Sequence, residues 1–166
     1  MEALKIWSVC VVAAVLYGIL HDQVTVRVCP EYFTVYHPYL IDTESLTVLA
    51  IAWGTAATWW VGAALGIPVA ICARAGRNPR LSARQLLRPI GLLLLVMGVA
   101  ALTAGLAGYY LSPYAPDRFN ADYYAHNASY LAGGTGGLAL CLWILFTRWR
   151  KRVAQLGIDP KPNLAG

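Results

Sequence analysis

The sequence predicts an all-α membrane protein: a four-transmembrane-helix bundle, both termini cytoplasmic, with an outward cap between helices 1 and 2. Two observations about amount and spacing of charge carry this. Hydrophobic residues make up 58% of the chain and charged residues 13%, about half of the ~25% charge of a soluble domain. The charges also leave four gaps, at 6–21, 45–73, 89–116 and 123–147. Each gap is near or above the ~18–20 residues that cross a bilayer as a helix. A soluble enzyme, a soluble nucleic-acid binder and a disordered tail are excluded. One domain is expected over 1–156, with 157–166 as a flexible cytoplasmic tail.

A third observation orients the bundle. The N-terminus, the connection between the second and third apolar runs, and the C-terminal segment hold eleven basic and two acidic residues, +9. The other two connections hold Arg27 and Arg118 against six acids, −4. Short Lys/Arg-rich loops stay in the cytoplasm, so both termini are expected there, and the basic residues are a topology signal rather than a nucleic-acid site.

The first helix is expected over about 4–20. No small-x-small cleavage site follows it, so it is read as an uncleaved span rather than a signal peptide. Val24-Thr25-Val26-Arg27-Val28 then alternates in the period-2 manner of a strand. With Pro30-Glu31 as the turn and Tyr32–Tyr36 as the return, it reads as a short β-hairpin on the outer face, the alternative being a helix continued to Cys29. The second helix, about 46–73, carries Gly54, Thr58, Gly62 and Gly66 at four-residue spacing, a row that lets backbones approach closely. Trp53 and Trp60 share a face of it, while Trp59 and Trp60 fall near mid-membrane, where indoles either pack in the bundle, the simpler account, or line a cavity. The third helix, about 89–111, places Pro89 in its first turn and Gly91, Gly98 and Gly105 at successive sevens, a smooth seam for a neighbour. The fourth, about 128–147, begins with paired glycines and ends at a basic cluster, 148–152.

Tyr17 to Thr34 (YGILHDQVTVRVCPEYFT), followed by His37-Pro38, and then Trp53-Gly54 and Thr58-Trp59-Trp60-Val61-Gly62, resemble a family of uncharacterised bacterial four-helix integral membrane proteins. The resemblance covers about the first half of the chain. It implies a multi-pass protein of the bacterial inner membrane and brings no activity, cofactor or catalytic residue. Pro30 departs from the aliphatic residue expected there, which favours a turn.

The polar residues collect on the outward side. All three histidines, six of the eight acids and all ten tyrosines lie in or beside the two outward connections. His21, Glu31 and His37 come from the first connection and His126 from the second. Neutral imidazole and carboxylate oxygen suit a transition-metal ion, and three protein ligands leave it an open position. No compact motif such as His-Glu-x-x-His is present, so the competing account is that these groups are solvated or hold the cap together by hydrogen bonds. Asp22, Arg27, Tyr32 and Asp122 are the supporting polar groups, with Arg27 expected to pair with Asp22 or Glu31 because an ionised group beside hydrocarbon is costly alone. The four cysteines offer no outward pair for a disulfide or a thiol oxidase. Two function classes stay open. One is a cap that binds a metal, a small molecule or a lipid headgroup. The other is an accessory subunit whose partners, besides the lipid bilayer, are membrane helices or a second copy.

Overall fold

A computed structural model of the protein describes residues 1–114 and 116–157; the tail expected beyond Gly157 lies outside the described residues. Among the described residues five helices follow in order: α1 (Glu2–Val28), α2 (Pro30–Thr34), α3 (Leu46–Arg74), α4 (Ala83–Leu111) and α5 (Arg118–Gln155). The four long ones are each long and apolar enough to cross a membrane, and no strand occurs among the described residues. At 1.5 Å per residue, the 38 residues of α5 extend about 57 Å, nearly twice the ~30 Å hydrocarbon layer. Its polar ends therefore have to project.

The helix ends correct the sequence expectation at three places. The hairpin is absent: α1 runs on to Val28, Cys29 caps it, and Pro30 opens the short α2. Val24, Thr25 and Val26 are β-branched, but Thr25 and Val26 are buried against the cap. Packing on one helical face overrides the strand propensity of such residues. α4 begins at Ala83 rather than at Pro89. Ser82 and Gln85 form a capping box there, with the Ser82 amide donating to Gln85 Oε1 at 2.9 Å. α5 begins at Arg118 rather than near 128, capped by Asp117, whose Oδ1 accepts from the Asn120 amide at 2.9 Å. Its buried positions run Ala121, Asp122, Ala125, His126, Ser129, Gly133 and Gly137. That three-to-four spacing continues the inward face through a polar turn.

Around the bundle α1 neighbours α3, α3 neighbours α5, α5 neighbours α4 and α4 neighbours α1. The α1/α3 and α4/α5 pairs are the intimate ones. Glycine explains the first. An added Cβ at Gly54 would fall 2.5 Å from the Ile19 amide nitrogen, and one at Gly62 2.8 Å from Val11 Cα, so the α3 row is a close backbone contact as expected. The sevens on α4 are a correction: a Cβ at Gly91 or Gly98 would meet nothing within 4 Å, and only Gly105 touches α5, at Ala121 and Ala125. A straight helix drifts about 20° per heptad against a seven-residue row. α4 meets α5 instead along a slanting four-residue row in which Leu93 reaches Gly136 and Met97 reaches Gly133.

Two apolar clusters close the bundle at opposite ends. At the basic end, Ile6, Val69, Leu81, Leu86, Ile90 and Ile144 pack together. Arg148 is buried there, with 2% of its surface exposed. Its guanidinium donates to the carbonyls of Pro79 (2.9 Å), Ala75 (2.6 Å), Asn78 (2.9 Å) and Cys72. At the cap end, Val26, Cys29, Tyr32, Phe33, Leu49 and Ala50 form the second cluster, with Trp53 and Phe119 packed on it.

Candidate metal centre

The cap end draws its polar groups from two helices. His21 and Asp22 sit side by side on α1, while Asp122 and His126 lie one turn apart on α5 and share a face. His126 Nε2 is 3.4 Å from an Asp22 carboxylate oxygen. The His21 and His126 rings meet edge to face, centroids 4.6 Å apart. His21, Asp22 and His126 each offer one ligand atom, and these atoms lie within 4.8 Å of one another. The group is withdrawn from water: Asp22 is 5% exposed, His126 9% and Asp122 1%.

Hydrogen bonding fixes one of the rings. His126 Nδ1 lies 2.8 Å from the Asp122 carbonyl oxygen. A carbonyl only accepts, so Nδ1 carries the proton and Nε2 is the nitrogen turned toward Asp22. A bare imidazole lone pair facing an ionised carboxylate is repulsive; a proton or a metal ion between them removes the repulsion. Histidine ligands commonly donate their second N–H to a carbonyl in this way. Tyr32 stacks on the His126 ring at 4.8 Å. Burial pushes its phenol up to about 12, so it stays protonated at neutral pH. Tyr17 stacks on His21 at 5.8 Å, and its hydroxyl shares a hydrogen bond with Ser129 Oγ.

Three buried polar atoms have no hydrogen-bond partner among the described residues: His21 Nε2, Trp53 Nε1 and Asp122 Oδ2. All three belong to the cap end. Buried polar groups are normally satisfied, and each exception calls for a cause. The donor set fits a transition-metal ion by type, two imidazoles and a carboxylate. By distance it has to close slightly: two ligands on one ion are at most about 4.2 Å apart, twice a ~2.1 Å bond, against the 4.8 Å spread here.

The other expected site residues fall outside this group. His37 stands near it, its Nδ1 2.6 Å from the Tyr32 carbonyl and its ring 5.1 Å from that of Trp53. Glu31 is exposed and accepts from the Cys29 thiol, Sγ to Oε2 3.6 Å. The expected pairing of Arg27 with Asp22 or Glu31 is not formed. Arg27 donates to the Gln23 side chain and to the Thr47 hydroxyl, each at 2.8 Å, because the helical continuation of α1 turns it away from Asp22. Asp22, expected only to support, is central. Ser129 and Trp53 are not among the expected site residues, and Tyr17 is expected only as one of the ten outward tyrosines. Reading helix through 118–127 would have revealed Asp122 and His126 at i, i+4.

Beneath the cluster lies a cavity of about 620 Å³, within the ~300–1,000 Å³ of small-molecule sites. Apart from His21, Asp22, His37, His126 and a few hydroxyls at or near its cap end, its walls are apolar side chains and glycines of the four long helices, with Phe33 of α2. Trp60 is one of them, so this indole lines a cavity rather than packing solidly in the bundle.

No protein-family model, curated protein or solved structure matches the chain. What the cap end does therefore has to be read from its own residues.

Proposed function

We propose that the protein is a membrane metalloprotein in which His21, Asp22 and His126 hold a transition-metal ion at the outward end of a four-helix bundle. The observation that carries this is the convergence, on two helices, of a half-buried imidazole (His21), a buried imidazole (His126) and a buried carboxylate (Asp22) beside unsatisfied polar atoms. A polar group beside hydrocarbon is costly and marks function by default. Three protein ligands leave the ion open positions toward the cavity, and Asp122 Oδ2 is free to accept a proton or to ligate. The +9 and −4 division of charge supports a multi-pass membrane protein with both termini in the cytoplasm and the metal on the far side, and the bacterial inner membrane is what the resemblance of its first half implies.

Protein purified without chelator is expected to carry about one transition-metal ion per chain. His21→Ala and His126→Ala are each expected to lose it with the fold intact, while Glu31→Gln and His37→Ala retain it. Metal-free protein that cannot be loaded, or retention by both the first pair of variants, overturns the reading. A periplasm-active reporter fused after Gly166 tests the orientation: it stays silent if the C-terminus is cytoplasmic. One observation favours the accessory-subunit alternative, the open faces of Gly91 and Gly98 on α4, which would accept a partner helix.

A further inference from the structure

The cavity has a shape as well as a volume. It is lined from His21 down to Cys10 on α1 and from His126 down to Leu140 on α5. The eleven steps from Cys10 to His21 rise about 16 Å and the fourteen from His126 to Leu140 about 21 Å. A space of about 620 Å³ drawn out over that length is narrow. Its far end stops at Leu140, Ile90 and Val69 of the basic-end core. Two residues at its near end, Trp53 and His21, each carry a buried polar atom without a partner among the described residues, the indole N–H and Nε2. The indole can only donate, so whatever satisfies it is an acceptor.

We propose that this cavity holds one hydrocarbon chain of a membrane-derived amphipath, fatty-acyl or isoprenoid in type, with its oxygen-bearing head accepting from Trp53 beside His21. The chain follows from length and apolarity, and the head from the unpaired donor. Access follows from the lining: Trp60 on α3 and Tyr130 on α5 both line the cavity and are 55% and 51% exposed. The α3/α5 seam between them is one of the two less intimate seams of the bundle. A chain reaching the cavity there comes from the bilayer rather than from water. The inference rests on the metal-centre reading only in placing the head beside the ligand set; the chain pocket stands without it.

Gly134 provides the test. It lines the cavity one turn from Tyr130 at the α3/α5 seam, is itself exposed, and a Cβ there would meet nothing within 4 Å, so a large side chain narrows the mouth of the cavity without disturbing a helix contact. Purified protein in nanodiscs of a saturated phosphatidylcholine is titrated with the fluorescent polyene fatty acid parinaric acid, then with octanoic acid, hexadecanoic acid and hexadecanol as competitors. Saturable binding above empty nanodiscs is expected, with competition that strengthens from eight to sixteen carbons. Gly134→Phe is expected to weaken binding at least tenfold, and Trp53→Phe about threefold. Metal content is measured on the same samples. Chain binding without metal overturns the metal centre alone. Metal without saturable chain binding, or Gly134→Phe binding as the unaltered protein does, overturns the chain pocket. Competition by the acid but not the alcohol identifies a free fatty acid; equal competition identifies a neutral lipid alcohol or its ester.

Discussion

The two ends of the bundle treat buried polarity in opposite ways. At the basic end Arg148 is as buried as a core leucine, and four backbone carbonyls take up its guanidinium. No carboxylate is needed, because the carbonyls belong to the end of α3 and to the α3–α4 connection, whose irregular backbone has acceptors to spare. At the cap end Asp22, Asp122, His21 and His126 crowd together, and three atoms around them stay unpaired. The first arrangement is complete within the chain. The second is incomplete, and a buried network that a protein leaves incomplete is the place to look for a ligand.

The comparison is broken most severely at the complete end. Arg148→Met removes the donor from four buried or half-buried carbonyls, each costing about 1–3 kcal/mol if left unsatisfied. Loss of several kcal/mol is expected in reversible unfolding in detergent. Stability within about 1 kcal/mol of the unaltered protein would show that water replaces the guanidinium. The same measurement on metal-free His126→Ala should show a much smaller loss, because its partner Asp22 is then free to take up a proton.

Glycine sharpens the same contrast along the helices. Gly54→Leu forces a side chain into the α1 backbone at Ile19, and overpacking of this kind costs about 1–3 kcal/mol or more. Gly98→Leu enters open space on α4 and should change stability by less than about 0.5 kcal/mol. Equal effects would mean that α4 meets a further helix at Gly98 in the membrane.

Two smaller effects concern chemistry at the cap. A metal ligand must be neutral imidazole. Metal occupancy should hold at pH 7 and above and fall as pH drops below ~6, where protons compete for the ring nitrogens. Occupancy that is flat to pH 5 would leave histidine out of the ligand set. Cys29 lies outside the spanning helices, and burial pushes its thiol up. It should therefore react slowly with maleimide at pH 7, faster once the cap is unfolded. Rapid labelling of the folded protein would mean that α2 lifts from the bundle.

Much of this protein was legible in its sequence because the bilayer is a demanding solvent. Every backbone polar group within it must be paired internally, so four long charge-poor runs dictate four helices. The row Gly54, Gly62, Gly66 could be read as a contact because only small residues let two helices approach so closely. The collection of His, Asp and Tyr on one side was equally plain from their positions. Tertiary structure decided the rest. Residues 24–28 alternate like a strand but lie on a helix, since Val26 is buried by α2 and α3, and no local rule contains that surface. The sevens on α4 could not tell which side α5 would occupy. Most of all, the choice of Asp22 over Glu31 as the histidines' partner depended on α1 and α5 staying helical past the apolar runs. That carries His21 and Asp22 up to His126, and this pairing between residues more than a hundred positions apart is set by packing, which sequence spacing does not encode.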